Sequence, residues 1–189
     1  MATMSRYNHP SPQINIITQW IVLILLLLIG FSVPALFLLG VILSSGGVSL
    51  MGVLLFLLGM PLVMYLSATP PITMSDEGMT LHPLFWRDQF VAWESIIDMK
   101  PYPLLPTADS EVERRALQGR NKYRVAEGEM LIIPVLPIQY RVTGFFAGER
   151  ARPVIAITNR THVDYDELVE RIRQSCAHLV QSDTLDSVE

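Results

Sequence analysis

Forty-seven consecutive residues, Trp20 to Leu66, contain no Asp, Glu, Lys, Arg or His. A four-residue break, Ser44-Ser45-Gly46-Gly47, divides them into apolar runs of 24 residues (Trp20–Leu43) and 19 residues (Val48–Leu66). At about 1.5 Å per residue the shorter run is about 28 Å long as a helix, close to the roughly 30 Å of a bilayer's hydrocarbon core. Backbone amides in lipid must find partners within the segment, so each run must be helical. Neither run has the polar face that a water-soluble surface helix keeps. The stretch therefore predicts a transmembrane helical hairpin over residues 14–68, with a tight Ser-Ser-Gly-Gly turn.

The net charge of −4 is unevenly spread. Before Asp76 the only formally charged side chain is Arg6; the other 13 basic and all 18 acidic residues lie beyond it. That division reads as a membrane anchor followed by a water-soluble domain, residues 69–182, long enough for one small core. Residues 1–13 are polar with two prolines and read as a disordered lead, and 183–189 as a flexible tail. A mildly acidic domain disfavours nucleic acid as a partner. The single cysteine, Cys176, allows no internal disulfide and no cysteine metal cluster.

The first apolar run exceeds the roughly 7–15 residues of a secretory signal core, so it is expected to be retained. Arg6 before the hairpin, with Arg87 and Lys100 after it, places both termini and the domain in the cytoplasm by the positive-inside tendency. Trp20 and Tyr65 fall at the same membrane face, where interfacial aromatics belong.

Beyond the hairpin, Thr69-Pro70-Pro71 ends helix and the pattern shifts to short strands. Ile72–Met74 and Met79–Leu81 flank a Ser-Asp-Glu-Gly turn and form a hairpin. Leu84–Arg87 and Phe90–Trp93 are expected to form a second, and residues 95–100 and 122–126 further strands. Residues 110–118 carry a helix pattern, Ser110 and Glu113 having capping-box spacing. Residues 129–134 and 138–145, separated by Pro134 and Pro137, read as two strands, and Pro153–Thr158 as another. From Tyr165 to Val180 the chain is an amphipathic helix with Leu168, Ile172, Cys176 and Leu179 on its apolar face. Asp164 and Glu167 stand in an acidic variant of the capping box.

The two spans, ITMSDEGMTL, FVAWESIIDMK and the closing VIAITNRTHVDYDELVERIR together resemble the bacterial pleckstrin-homology-like (PH-like) membrane proteins. The matching features are the turn-glycine hairpin, the apolar-x-Trp-x-x-Ile strand of Val91, Trp93 and Ile96, and the Asn159-Arg160 turn into a final helix. The resemblance covers about residues 14–100 and 153–175. It implies an α+β membrane protein: a transmembrane hairpin, then a PH-like antiparallel β-barrel or sandwich capped by a C-terminal helix, in a bacterial inner membrane. In length and order of parts the chain is also similar to the two-span photosystem I assembly factors of cyanobacteria and plastids, which help build a membrane complex. Such resemblances bear on fold more than on function.

The chemistry-bearing residues point away from an enzyme. His9, His82, His162 and His178 share no metal-ligand spacing, and no nucleophile elbow, phosphate loop or dinucleotide fingerprint occurs. Cys176 falls on a core face, as an inert thiol does. No cofactor and no metal is expected. The first hairpin loop, Ser75-Asp76-Glu77-Gly78, would repel a phosphate.

Two candidate contact regions remain. The basic run Arg114, Arg115, Arg120, Lys122 and Arg124 is a candidate contact for anionic lipid headgroups, at most about 1 kcal/mol per cation, or a solvated charged face. The apolar stretch 130–147 is either two core strands or a surface on which Leu136, Ile138, Phe145 and Phe146 meet the bilayer or a protein. The expected function is a non-enzymatic, membrane-anchored interaction module, a scaffold or assembly factor with a membrane-protein partner. The alternative is a module that binds or senses anionic lipid.

Overall fold

In the computed structural model, which describes residues 5–107, 109–112, 116 and 123–176, the charge-free stretch folds as two antiparallel helices. They are α1 (Pro12–Ile42, 31 residues) and α2 (Gly46–Ser67, 22 residues). At about 1.5 Å per residue they are roughly 46 and 33 Å long, and both are long and apolar enough to cross a membrane. Pro12 starts α1 where its missing N–H costs nothing. The turn between the helices is closed by Ser44 in the left-handed region (φ 49°). The helices touch through small residues: a Cβ on Gly40 would overlap Ser49, and one on Gly52 would stand 3.3 Å from the Phe37 ring.

Two antiparallel sheets follow, neither closed into a barrel. The first orders its strands β1 (Ser5–Tyr7), β2 (Ile72–Met74), β3 (Gly78–Leu81) and β4 (Gln89–Ala92). The second orders β5 (Asp98–Pro101), β6 (Gly128–Ile132) and β7 (Val154–Thr158). Helix α3 (Gln139–Phe146) connects β6 to β7, and α4 (Tyr165–Ser175) ends the described chain.

Strand β1 corrects the expectation of a disordered lead. It pairs with β2 (Ser5↔Met74, Tyr7↔Ile72), so the hairpin is inserted between two neighbouring strands of one sheet. The Tyr7 side chain is buried in the core and its hydroxyl donates to Glu167 Oε1 (3.1 Å) on α4.

The β2–β3 hairpin forms as expected, with Ser75 N–H and Oγ both donating to the Gly78 carbonyl. A second hairpin of 84–87 with 90–93 does not. Instead β4 pairs with β3 (Gly78↔Ala92, Leu81↔Gln89) and residues 82–88 form the connection. Phe85 is drawn to the base of α1, where its ring meets Trp20 edge-on at 5.2 Å. After β4 a 3-10 turn, Trp93–Ser95, carries Trp93 and Ile96 into the core beside Val91.

The expected strand at 138–145 is the helix α3. Its buried residues Tyr140, Thr143, Gly144 and Ala147 recur at i, i+3, i+4 and i+7, one helical stripe. Pro137 precedes the helix and fits an entry position rather than a strand break. The expected strand at 122–126 shows no regular structure over its described residues 123–126.

The main core lies between the sheets and under α4, built from residues such as Ile72, Met79, Leu81, Leu131, Ile155, Leu168 and Ile172. The opposite face of the second sheet is buried too, by Met130, Ile132, Val154 and Ala156 with Tyr102 and Ala147. Burial on both faces explains why Val154–Thr158 reads as an unbroken apolar run rather than an alternating one. Asp164 precedes α4 at φ 55° and makes no side-chain cap, so the expected capping box is absent. Glu167 instead serves Tyr7 and faces Arg171 at 3.7 Å.

Candidate functional site

Of the four apolar residues singled out in sequence, the fold exposes three. Leu136 is 5 % exposed and belongs to the core, a correction to its candidacy as a contact. The chain turns after Pro134 and points Leu136 inward, its N–H bonded to the Ile133 carbonyl. Ile138, Phe145 and Phe146 are 76, 58 and 36 % exposed, and Val135 adds 67 %. The rings of Phe145 and Phe146 meet edge-to-face at 5.5 Å.

This apolar ridge is held against the hairpin. Ser67, at the end of α2, is fully buried; its Oγ donates to the Val63 carbonyl (3.0 Å). The same oxygen stands 3.3 Å from the Gln139 carbonyl and 3.4 Å from Thr143 Oγ1, which is also fully buried. One turn on, Val142 joins Leu26, Ile29, Met60 and Val63 in lining a groove of about 450 Å³ between α1 and α2. A Cβ on Gly144 would collide with the Arg152 carbonyl, so glycine lets the following turn pack flat on α3. That turn holds Arg150 and Ala151 at positive φ.

Three exposed cations flank the ridge: Arg141 on α3, and Arg150 and Arg152 after it. None takes part in the ion pairs among the described residues. Lys100 is different, lying 3.0 Å from Asp98 and 3.1 Å from Glu149. Hydrogen bonds to those carboxylates raise its pKa.

The basic run falls mostly outside the described residues: Arg114, Arg115, Arg120 and Lys122 lie there. Arg124 is described, and its guanidinium grips Asp166 through two bonds of 3.1 and 3.4 Å. A neighbouring network was not legible in sequence: Arg160 binds Glu111 bidentately (3.0 and 2.5 Å) and lies 5.6 Å from the centre of the Tyr123 ring. Arg124 is thus engaged on a face that also carries a cleft of about 530 Å³ beside α4, rimmed by Glu127, Glu129, Asp166 and Glu170 with Arg173. Among the described residues that line the cleft, carboxylates outnumber cations and oppose an anionic headgroup.

His162 is almost completely buried. Its Nε2–H donates to the Pro70 carbonyl (3.1 Å), while Nδ1 accepts from Thr161 Oγ1 (3.0 Å) and lies 3.4 Å from the Thr158 N–H. Burial pushes its pKa down to about 4. Together with Ala156 N–H on the Ala68 carbonyl (2.7 Å), it fastens the exit of α2 to the second sheet. His82 bonds Thr73 Oγ1 and faces Asp88, both at 2.9 Å. Cys176 is buried and its thiol pKa is raised by burial to about 11. Among the described residues no group of three or more His, Cys, Asp or Glu is placed to hold a metal.

No family model, curated protein or solved structure matches the chain.

Proposed function

We propose that the chain is a non-enzymatic, membrane-anchored interaction module, with α1 and α2 crossing a bilayer and the two sheets forming a PH-like domain on the cytoplasmic side. Its role on this reading is that of a scaffold or assembly factor for a membrane complex. The observation that carries it is the fixed union of hairpin and sheets. Chain on both sides of the hairpin joins one sheet through β1 and β2, while Ser67 and Pro70 are bonded to α3 and His162. A domain so held offers its surfaces to membrane-bound partners at constant height, and tethering raises their effective concentration so that weak contacts suffice. The order of a four-stranded sheet, a three-stranded sheet and a final helix supports the PH-like reading. So does the burial of Val91, Trp93 and Ile96 together. The exposed Arg141, Arg150 and Arg152 beside the hairpin add to Arg6 and Arg87 in favouring the cytoplasmic side.

The test is tagged purification from native membranes in mild detergent, with mass spectrometry of co-purifying proteins. A stoichiometric partner that is lost when the hairpin is replaced by an unrelated two-span anchor is the expected result. Recovery of the protein alone, in native and anchor-swapped forms, would sink the scaffold reading.

A further inference from the structure

Helix α3 is bonded to Ser67 at the end of α2, so its depth relative to the two apolar helices follows from its neighbours. Trp20 and Tyr65, both half-exposed, mark the aromatic level of the hairpin, and Phe85 packs on Trp20 there. Val142 lines the same groove as Val63, Met60, Leu26 and Ile29, all on the far side of that level from the sheets. Counted along the helices at about 1.5 Å per residue, Val63 and Met60 lie roughly 3 and 8 Å beyond Tyr65, and Leu26 about 9 Å beyond Trp20. An interfacial helix buries its apolar face about 5–10 Å into the boundary between headgroups and acyl chains. A segment beside the spans at that depth presents Ile138, Phe145 and Phe146 as exposed apolar side chains.

We propose that α3 is an interfacial helix immersed in the leaflet next to the sheets, with Ile138, Phe145 and Phe146 among the acyl chains and Arg141, Arg150 and Arg152 at anionic headgroups. This rests on the reading that α1 and α2 span a bilayer. The occupant of the exposed ridge is lipid rather than protein because α3 is bonded to the end of α2 and shares a groove with both apolar helices, and because cations border it. The three nearby arginines, in no ion pair among the described residues, complement acidic headgroups, each contributing on the order of 1 kcal/mol near the surface. The helix is the third point at which this chain enters the membrane, and the proposal sets the tilt of the sheets against the bilayer.

The experiment uses the full chain in vesicles of phosphatidylcholine and phosphatidylglycerol. Single cysteines in a Cys176→Ala background (Phe145→Cys, Ile138→Cys, Leu54→Cys, Val125→Cys) carry a nitroxide label. Accessibility to oxygen and to a water-soluble nickel chelate then reports depth. Labels at 145 and 138 are expected to resemble 54, with oxygen favoured several-fold over the chelate, while 125 shows the reverse. Chelate-accessible labels at 145 and 138 with a lipid-exposed label at 54 would overturn the immersion of α3 and leave the spanning hairpin intact. Immobilised labels at 145 and 138, shielded from both agents, would overturn it in favour of a protein occupant. A chelate-accessible label at 54 would overturn the spanning hairpin itself, and the proposal with it.

Discussion

The Nε2–H of His162 donates to the carbonyl oxygen of Pro70 across 92 positions of chain, at 3.1 Å. Nδ1 of the same ring accepts from Thr161, which requires a neutral imidazole with its proton on Nε2. The bond to Pro70 ties the turn before α4 to the point where α2 gives way to the sheets.

Acid should therefore loosen this junction. Burial holds the folded His162 pKa near 4, against about 6.5 in the unfolded chain. Between those values the unfolded state binds a proton that the folded state refuses, so stability is complete above pH 6.5 and falls as pH drops toward 4. A difference of this size corresponds to at most roughly 3 kcal/mol, and positive charge on His9 pushes in the same direction. Thermal melts of the detergent-solubilised protein from pH 7 to 4.5 should show a falling midpoint. In His162→Gln the slope should shrink; an unchanged slope would remove His162 as its source.

Strand β1 should be worth more than its three residues suggest. Tyr7→Phe removes the bond to Glu167 and should cost about 1 kcal/mol. Tyr7→Ala also opens a cavity beside Ile72 and should cost about 3 kcal/mol. Chemical denaturation of the two variants reads both numbers. Equal, negligible losses would show that β1 does not dock in solution.

Two arginines on neighbouring segments should behave oppositely. Arg160 and Glu111 are only 15 and 10 % exposed at their side chains, whereas Arg124 and Asp166 are 63 and 66 % exposed. Arg160→Ala removes a bidentate partner from a mostly buried carboxylate that keeps the Tyr123 hydroxyl bond, and should cost about 1.5–3 kcal/mol. Arg124→Ala should cost about 0.5 kcal/mol or less. Binding to anionic vesicles should not change with Arg124→Glu, and a marked loss would return the lipid contact to that face.

Gly144→Ala should release α3 while leaving the sheets folded. The new methyl meets the Arg152 carbonyl, and overpacking of this kind costs about 1–3 kcal/mol. Hydrogen exchange should quicken over residues 139–147 and stay slow in β6 and β7. Uniform acceleration across the second sheet would show that α3 is part of its cooperative unit.

The two long apolar helices were legible in the sequence because nothing interrupts their composition over 47 residues. The β2–β3 hairpin, β7 and α4 were legible from turn glycine, β-branched residues and helical spacing. Strand β1 was not, because Ser-Arg-Tyr is too short to show a period and its partner lies beyond the hairpin. Helix α3 was hidden by apolar residues on both of its sides: Tyr140 and Thr143 point to protein, while Ile138 and Phe145 point away. The same ambiguity made Leu136 look like a surface residue. Of the candidate site, the exposure of Ile138, Phe145 and Phe146 was among the readings, but the arginines beside them are scattered in sequence and meet only in the fold.

The insertion of the hairpin between β1 and β2 has a consequence for biogenesis. Ser5–Tyr7 leaves the ribosome before both spans and Ile72–Met74 after them. With the hairpin in a bilayer, the two strands reach the same compartment only if both spans have inserted. A chain that inserts one span strands its first residues on the wrong side, and the sheet then lacks its edge and exposes the Tyr7 site. A chain threaded through one span is then left with the exposed apolar surface that quality-control proteases recognise. On the reading that both helices span a bilayer, the β1–β2 pairing makes completion of the sheet depend on the threading of the anchor.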